Sequence, residues 1–118
     1  MNMQQFSSVT GLSAHTLRYY EKIGLLRNVQ RSKSGHRVYT ERDLAWVEFV
    51  LKLKETGMPL EGILRYATLR AEGSQTVHAR QSLLEEHREA LLLHIERQKI
   101  LLAALDQKID LYRANKVA

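Results

Sequence analysis

The sequence predicts a mainly α protein: a winged helix-turn-helix with a small β-hairpin wing, followed by a long C-terminal coiled-coil dimerisation helix. Three observations lead there. All of the excess positive charge lies in the first 40 residues. Glycines and capping residues cut that stretch into short helices and a hairpin. Residues 77–114 run without proline or glycine, and apolar residues recur there in alternating steps of three and four. The expected division is a DNA-binding unit over 1–74 and a dimerisation helix over 75–118.

The elements follow in order. Met3, Phe6 and Val9 fall at helical spacing and Gly11 stands as a C-terminal stop, so residues 3–10 form a first helix. Ser13 suits an N-cap for a second helix from about Ala14 to Ile23, closed by Gly24. Leu25 and Leu26 pack back on this pair. The segments Asn28–Arg31 and His36–Tyr39 flank the turn-rich Ser32-Lys33-Ser34-Gly35 and read as a hairpin, with Gly35 supplying the freedom the turn needs. Thr40 and Asp43 resemble a capping box, opening a third helix that runs to about Glu55 and ends at Gly57. Its two apolar stripes, Leu44, Val47 and Leu51 beside Trp46, Phe49, Val50 and Leu53, cover so much of its surface that it is packed on more than one side; Trp46 belongs to the core. Pro59 suits the first position of a fourth helix reaching about Ala71.

The last segment is a helix of about 57 Å. Leu84, Leu91, Gln98, Leu105 and Tyr112 recur every seven residues, with Arg88, Ile95, Leu102 and Ile109 on the neighbouring row. This is coiled-coil spacing, and the economical partner for the stripe is a second copy. The expected interface is Leu84, Leu91, Ile95, Leu102, Leu105, Ile109 and Tyr112.

Composition bounds the function. The 118 residues are 44% hydrophobic and 26% charged, ordinary for a globular protein, with no apolar run long enough to span a bilayer. The start lacks the features of a signal peptide, and the absence of cysteine excludes disulfides and thiolate metal sites. A cytoplasmic location is expected. Residues 1–40 carry six cations against Glu21 alone, whereas the 12 cations and 12 anions of residues 41–118 cancel. Such asymmetry marks a polyanion-binding face.

On the second helix His15, Arg18, Tyr19 and Lys22 fall at i, i+3, i+4 and i+7 and share one face, with Leu17 and Tyr20 turned to the core. Guanidinium, ammonium and phenol groups on one helix face suit base edges and phosphates of a major groove. Thr16, next to the cap, reaches toward phosphate. In the wing, Arg37 can fork two donors onto phosphates, and Lys33 adds charge. Tyr39 either donates to phosphate or packs under the hairpin.

The run Leu12-Ser13-Ala14-His15-Thr16-Leu17-Arg18-Tyr19-Tyr20-Glu21-Lys22-Ile23-Gly24-Leu25-Leu26 resembles the signature of the MerR family of bacterial transcription regulators. Gly35-His36-Arg37-Val38-Tyr39 is similar to that family's wing, and the Gly57-Met58-Pro59-Leu60 junction fits as well. The resemblance implies a homodimer on a palindromic operator of double-stranded promoter DNA. It also implies distortion of the promoter spacer, which reaches RNA polymerase indirectly through the DNA. Carried over, the DNA contacts are Thr16, Arg18, Tyr19, Arg37 and Tyr39; Lys33 matches no fixed family position. Two departures stand out. The family's metal, redox and iron–sulfur sensors use cysteines, and none is available here; the large ligand domain of multidrug-sensing members is not expected either. Ser7, Ser8 and Val9 stand where the family more often shows a basic stretch.

No cofactor is expected. His87 and His94, seven residues apart and so about 10 Å along one side of a helix, lie too far apart to share an ion without a second chain; with His78 they read as surface or interface histidines, or as a site between chains. Two other function classes were weighed. A coiled-coil adaptor that does not bind DNA leaves the charge clustering unexplained, and an enzyme lacks any acid–base pair, nucleophile or phosphate loop.

Overall fold

The computed structural model describes residues 1–117. The elements are α1 (Met3–Thr10), α2 (Ala14–Lys22), β1 (Gln30–Arg31), β2 (Arg37–Val38), α3 (Glu41–Glu55), α4 (Leu60–Glu72), a 3₁₀ turn (Ser74–Thr76) and α5 (Val77–Arg113). The chain divides into two compact units, Met1–Leu83 and the remainder from Leu84.

Local chemistry sets each boundary in the first unit. Asn2 and Gln5 form a reciprocal capping box at the start of α1, and Gly11 ends that helix at φ 74°, where a side chain would be strained. Ser13 Oγ accepts the Thr16 amide at 3.1 Å and caps α2. At α3 the expected box forms: Thr40 Oγ1 accepts the Asp43 amide at 3.1 Å, and Asp43 Oδ2 accepts the Thr40 amide at 3.0 Å. Pro59 is the N-cap of α4, so the helix begins at Leu60, one residue later than expected.

The core forms where α1, α2, α3 and α4 turn their apolar faces together: Phe6, Leu17, Leu25, Leu26, Val47, Val50 and Ile63 are all buried. Trp46 joins them, and its indole N–H donates to the Leu25 carbonyl at 2.8 Å, so its one polar atom is satisfied. Tyr20 is buried at the ring while its hydroxyl accepts from Lys54 Nζ at 2.8 Å.

Beneath the hairpin the Tyr39 ring stacks on Phe6, with centroids 4.1 Å apart and planes at 4°. Backbone bonds between Met1 and Tyr39, both 2.7 Å, tie the end of the hairpin to the start of the chain. The passage from α4 into α5 is closely bonded. Thr76 is buried, with its hydroxyl donating to the carbonyls of Leu69 at 2.6 Å and Gly73 at 2.8 Å, while Arg80 Nε donates back to it at 3.0 Å. The first turns of α5 therefore belong to the first unit.

The second unit is the rest of α5. The helix is 37 residues long, about 55 Å. Not one of its residues is buried within the single chain. Leu102, Leu105 and Tyr112 are each more than half exposed, Ile95 and Ile109 are exposed, and Leu84 and Leu91 are half-buried. No helix among the described residues is long and apolar enough to cross a membrane.

Candidate nucleic-acid interface

The exposed face of α2 carries His15, Arg18, Tyr19 and Lys22, while Leu17 and Tyr20 anchor the opposite face in the core. Tyr19 keeps 46% of its surface. Thr16 is half-buried beside the cap, its hydroxyl accepting from Ser13 Oγ at 3.0 Å. The packing that buries Leu17 thus fixes the rotation of the helix and aims the polar row outward.

The wing is a two-stranded antiparallel hairpin in which Gln30 faces Val38 and Arg31 faces Arg37. Two like charges directly opposite each other repel. Glu21, at the end of α2, lies between them: Arg37 Nε donates to its Oε2 at 3.0 Å and Arg31 to its Oε1 at 3.4 Å. Lys33 and His36 are exposed at the turn, where Ser32, Ser34 and His36 are linked by hydrogen bonds and Gly35 adopts φ 86°. Between the start of α1, α2 and the wing lies a groove of about 320 Å³, lined by Asn2, Met3, Gln4, Arg18, His36 and Arg37 among others.

The structure therefore brings His15, Arg18, Tyr19 and Lys22 onto one face and places Arg37 and Lys33 on the wing beside it. Tyr39 is the correction. Its side chain is buried, 2% exposed, with the hydroxyl turned to Met3 Sδ at 3.5 Å. Of its two readings, packing beneath the hairpin is the one these surroundings favour. Burial raises its pKa above the ordinary value, against the opposing pull of Arg37.

Two contributions escaped the reading of the sequence. Glu21 is the lone carboxylate of the first 40 residues, a signal that charge counting registered without giving it a role. Asn2, Met3 and Gln4 carry no charge, and only the fold sets them beside Arg18. On α5, His78 and His94 are exposed and His87 half-buried; among the described residues no group of His, Asp and Glu is arranged to hold a metal ion.

A capped helix pair with one cationic outer face, and an arginine-bearing hairpin locked beside it, define the winged helix-turn-helix class of nucleic-acid-binding modules. Residues 1–69 match the MerR HTH family regulatory protein model, and residues 44–108 match the "MerR, DNA binding" model. The chain belongs to the MerR family.

Among curated relatives it is 42% identical over 92 residues to the HTH-type transcriptional regulator AdhR of Bacillus subtilis (strain 168), a match covering 78% of this chain and 66% of that protein. Relatives of this kind are named as transcriptional regulators, a non-enzymatic role. Among solved structures, a MerR family transcriptional regulator from Listeria monocytogenes superposes with a TM-score of 0.90 at 37% identity, covering 96% of this chain and 86% of the other. HiNmlR, a MerR family regulator lacking the sensor domain and bound to promoter DNA, superposes with a TM-score of 0.86 at 36% identity, covering 98% and 91%.

Proposed function

We propose that this chain is a cytoplasmic transcription regulator that binds a palindromic promoter operator in double-stranded DNA as a homodimer. It controls transcription by distorting the spacer, so its influence on RNA polymerase passes through the DNA. The observation that carries this reading is the exposed row of His15, Arg18, Tyr19 and Lys22 beside wing residues Lys33 and Arg37. An α-helix fits the major groove, where Arg18 can read base edges while Lys22, Thr16 and the wing engage phosphates. The likeness to a promoter-bound family member supports the choice of DNA over a protein partner for the same charge.

Pairing follows from α5. In a stripe comprising Leu84, Leu91, Ile95, Leu102, Leu105, Ile109 and Tyr112 no residue is fully buried in one chain, and coiled-coil spacing suits it to a second copy. Two recognition helices then read two half-sites about one helical turn apart, which is why the operator is expected to be palindromic.

The test is fluorescence anisotropy on the DNA upstream of the chain's own gene. Arg18→Ala is expected to weaken binding roughly tenfold to a hundredfold with the dimer intact, and wild-type affinity should fall steeply with salt as counterions are released. If Arg18→Ala and Arg37→Ala both bind as the wild type does, the DNA face is misassigned.

A further inference from the structure

Away from the recognition helix, the base of the wing meets the start of α3 and the end of α4 around a cleft of about 360 Å³. Arg27, Arg42 and Arg70 line it, with Asn28, Gln30 and Thr40 between them. None of the three arginines has an ion-pair partner among the described residues. Arg27 is held by neutral acceptors, the Gly24 carbonyl at 2.9 Å and Thr68 Oγ1 at 3.3 Å. Arg70 lies over the Trp46 ring at 4.4 Å, and Arg42 is exposed. One carboxylate, Asp43, borders the cleft, and its Oδ2 is committed to the α3 cap.

We propose that this cleft is an anion-binding site that takes a phosphoryl or carboxylate group between Arg42 and Arg70, with Arg27 at its edge. Three cations meet around one concavity, and Asp43 offsets them only in part: its pull on Arg70 ranks below the push from Arg42. Burial, and next the nearby Arg42, already lower the pKa of Arg70, which an incoming anion would reverse. Guanidinium groups are planar forks matched to oxyanions, and here two are pinned by their own contacts, so little side-chain freedom is lost on binding. Asn28, Gln30 and Thr40 add neutral donors at the wall. The anion comes either from a DNA backbone phosphate or from a free phosphorylated or carboxylated small molecule. The second source would give a chain without cysteine a route for chemical input that needs no thiol. The cleft shares no residue with the recognition face, so failure of this site and failure of the Arg18 assignment can be told apart.

Titration calorimetry of the full chain with pyrophosphate at low ionic strength tests it. Saturable binding is expected, weakened tenfold or more in Arg42→Gln and in Arg70→Gln, because a charge-assisted hydrogen bond is lost in each. Lys99→Gln, an exposed lysine outside the cleft and the DNA face, should titrate like the wild type. Arg42 is exposed, so its variant should keep the wild-type circular dichroism spectrum even if Arg70→Gln does not. Promoter anisotropy then separates the sources. Weaker promoter binding by Arg42→Gln, together with competition by pyrophosphate, assigns a DNA phosphate; unchanged promoter binding assigns a free anion. Absence of saturable binding at millimolar pyrophosphate, or Arg42→Gln titrating as the wild type does, overturns the site.

Discussion

Glu21 Oε2 lies 3.0 Å from Arg37 Nε and so joins the recognition helix to the wing. The same carboxylate meets Arg31 at 3.4 Å, directly across the hairpin from Arg37. A negative charge inside the proposed DNA-facing surface works against affinity, so its place there needs a reason. Without it, two guanidinium groups oppose each other across a ladder of two residue pairs. Glu21 trades some attraction for DNA against a fixed angle between helix and wing.

The first prediction follows. Glu21→Gln should change unfolding free energy by less than about 1 kcal/mol, since the pair is partly exposed and screened. Hydrogen exchange at the wing amides of residues 30–38 should nonetheless quicken several-fold, and binding to unrelated DNA should strengthen relative to promoter DNA. Unchanged wing exchange would remove Glu21 as the clamp.

Tyr39 gives the second. Tyr39→Phe keeps the stack on Phe6 and should leave promoter affinity unchanged, while Tyr39→Ala opens a core cavity and should cost about 3–5 kcal/mol. A several-fold loss of DNA binding by Tyr39→Phe at wild-type stability would return the hydroxyl to the interface.

The same phenol sets a pH dependence. Its folded pKa is raised above 10.0, so above that pH the unfolded chain releases the proton first and the native state binds more protons. The contribution is complete below pH 10 and is lost as pH rises through the folded value. Urea midpoints should fall less between pH 9 and 11 for Tyr39→Phe than for the wild type, and identical slopes would contradict this.

The fourth concerns α5. Leu102→Glu with Leu105→Glu puts four like charges into the seam of the proposed dimer and should yield monomers by sedimentation at micromolar concentration. The first unit, whose core contains neither residue, should keep its tryptophan emission. A dimer that survives both changes would place the interface elsewhere.

Much of this architecture could be read along the chain because its determinants are local. Gly11, Ser13 and the Thr40–Asp43 box act on residues three or four positions away, so spacing alone locates the helix ends. The polar row on α2 was legible for the same reason: one helical period separates His15, Arg18 and Tyr19 from Leu17 and Tyr20. Depth was harder to read. Whether Tyr39 is core or surface depends on Phe6, which reaches it only after the chain has turned through α2 and the hairpin. Glu21 looked like a stray charge until the register of the hairpin set Arg31 against Arg37. The Thr76 turn involves a buried hydroxyl serving two carbonyls, for which a Gly-Ser sequence gives no hint.

Beyond its first turns, a helix that buries none of its residues is held by its backbone bonds and a few exposed ion pairs, and such segments open at little cost. For the proposed dimer, the survival of α5 then depends on how many copies share the cell. A scarce regulator spends more of its time as an open, cleavable strand, and an abundant one protects itself by mass action. Abundance and lifetime rise together, so the chain's own turnover would sharpen the threshold at which its promoter is occupied.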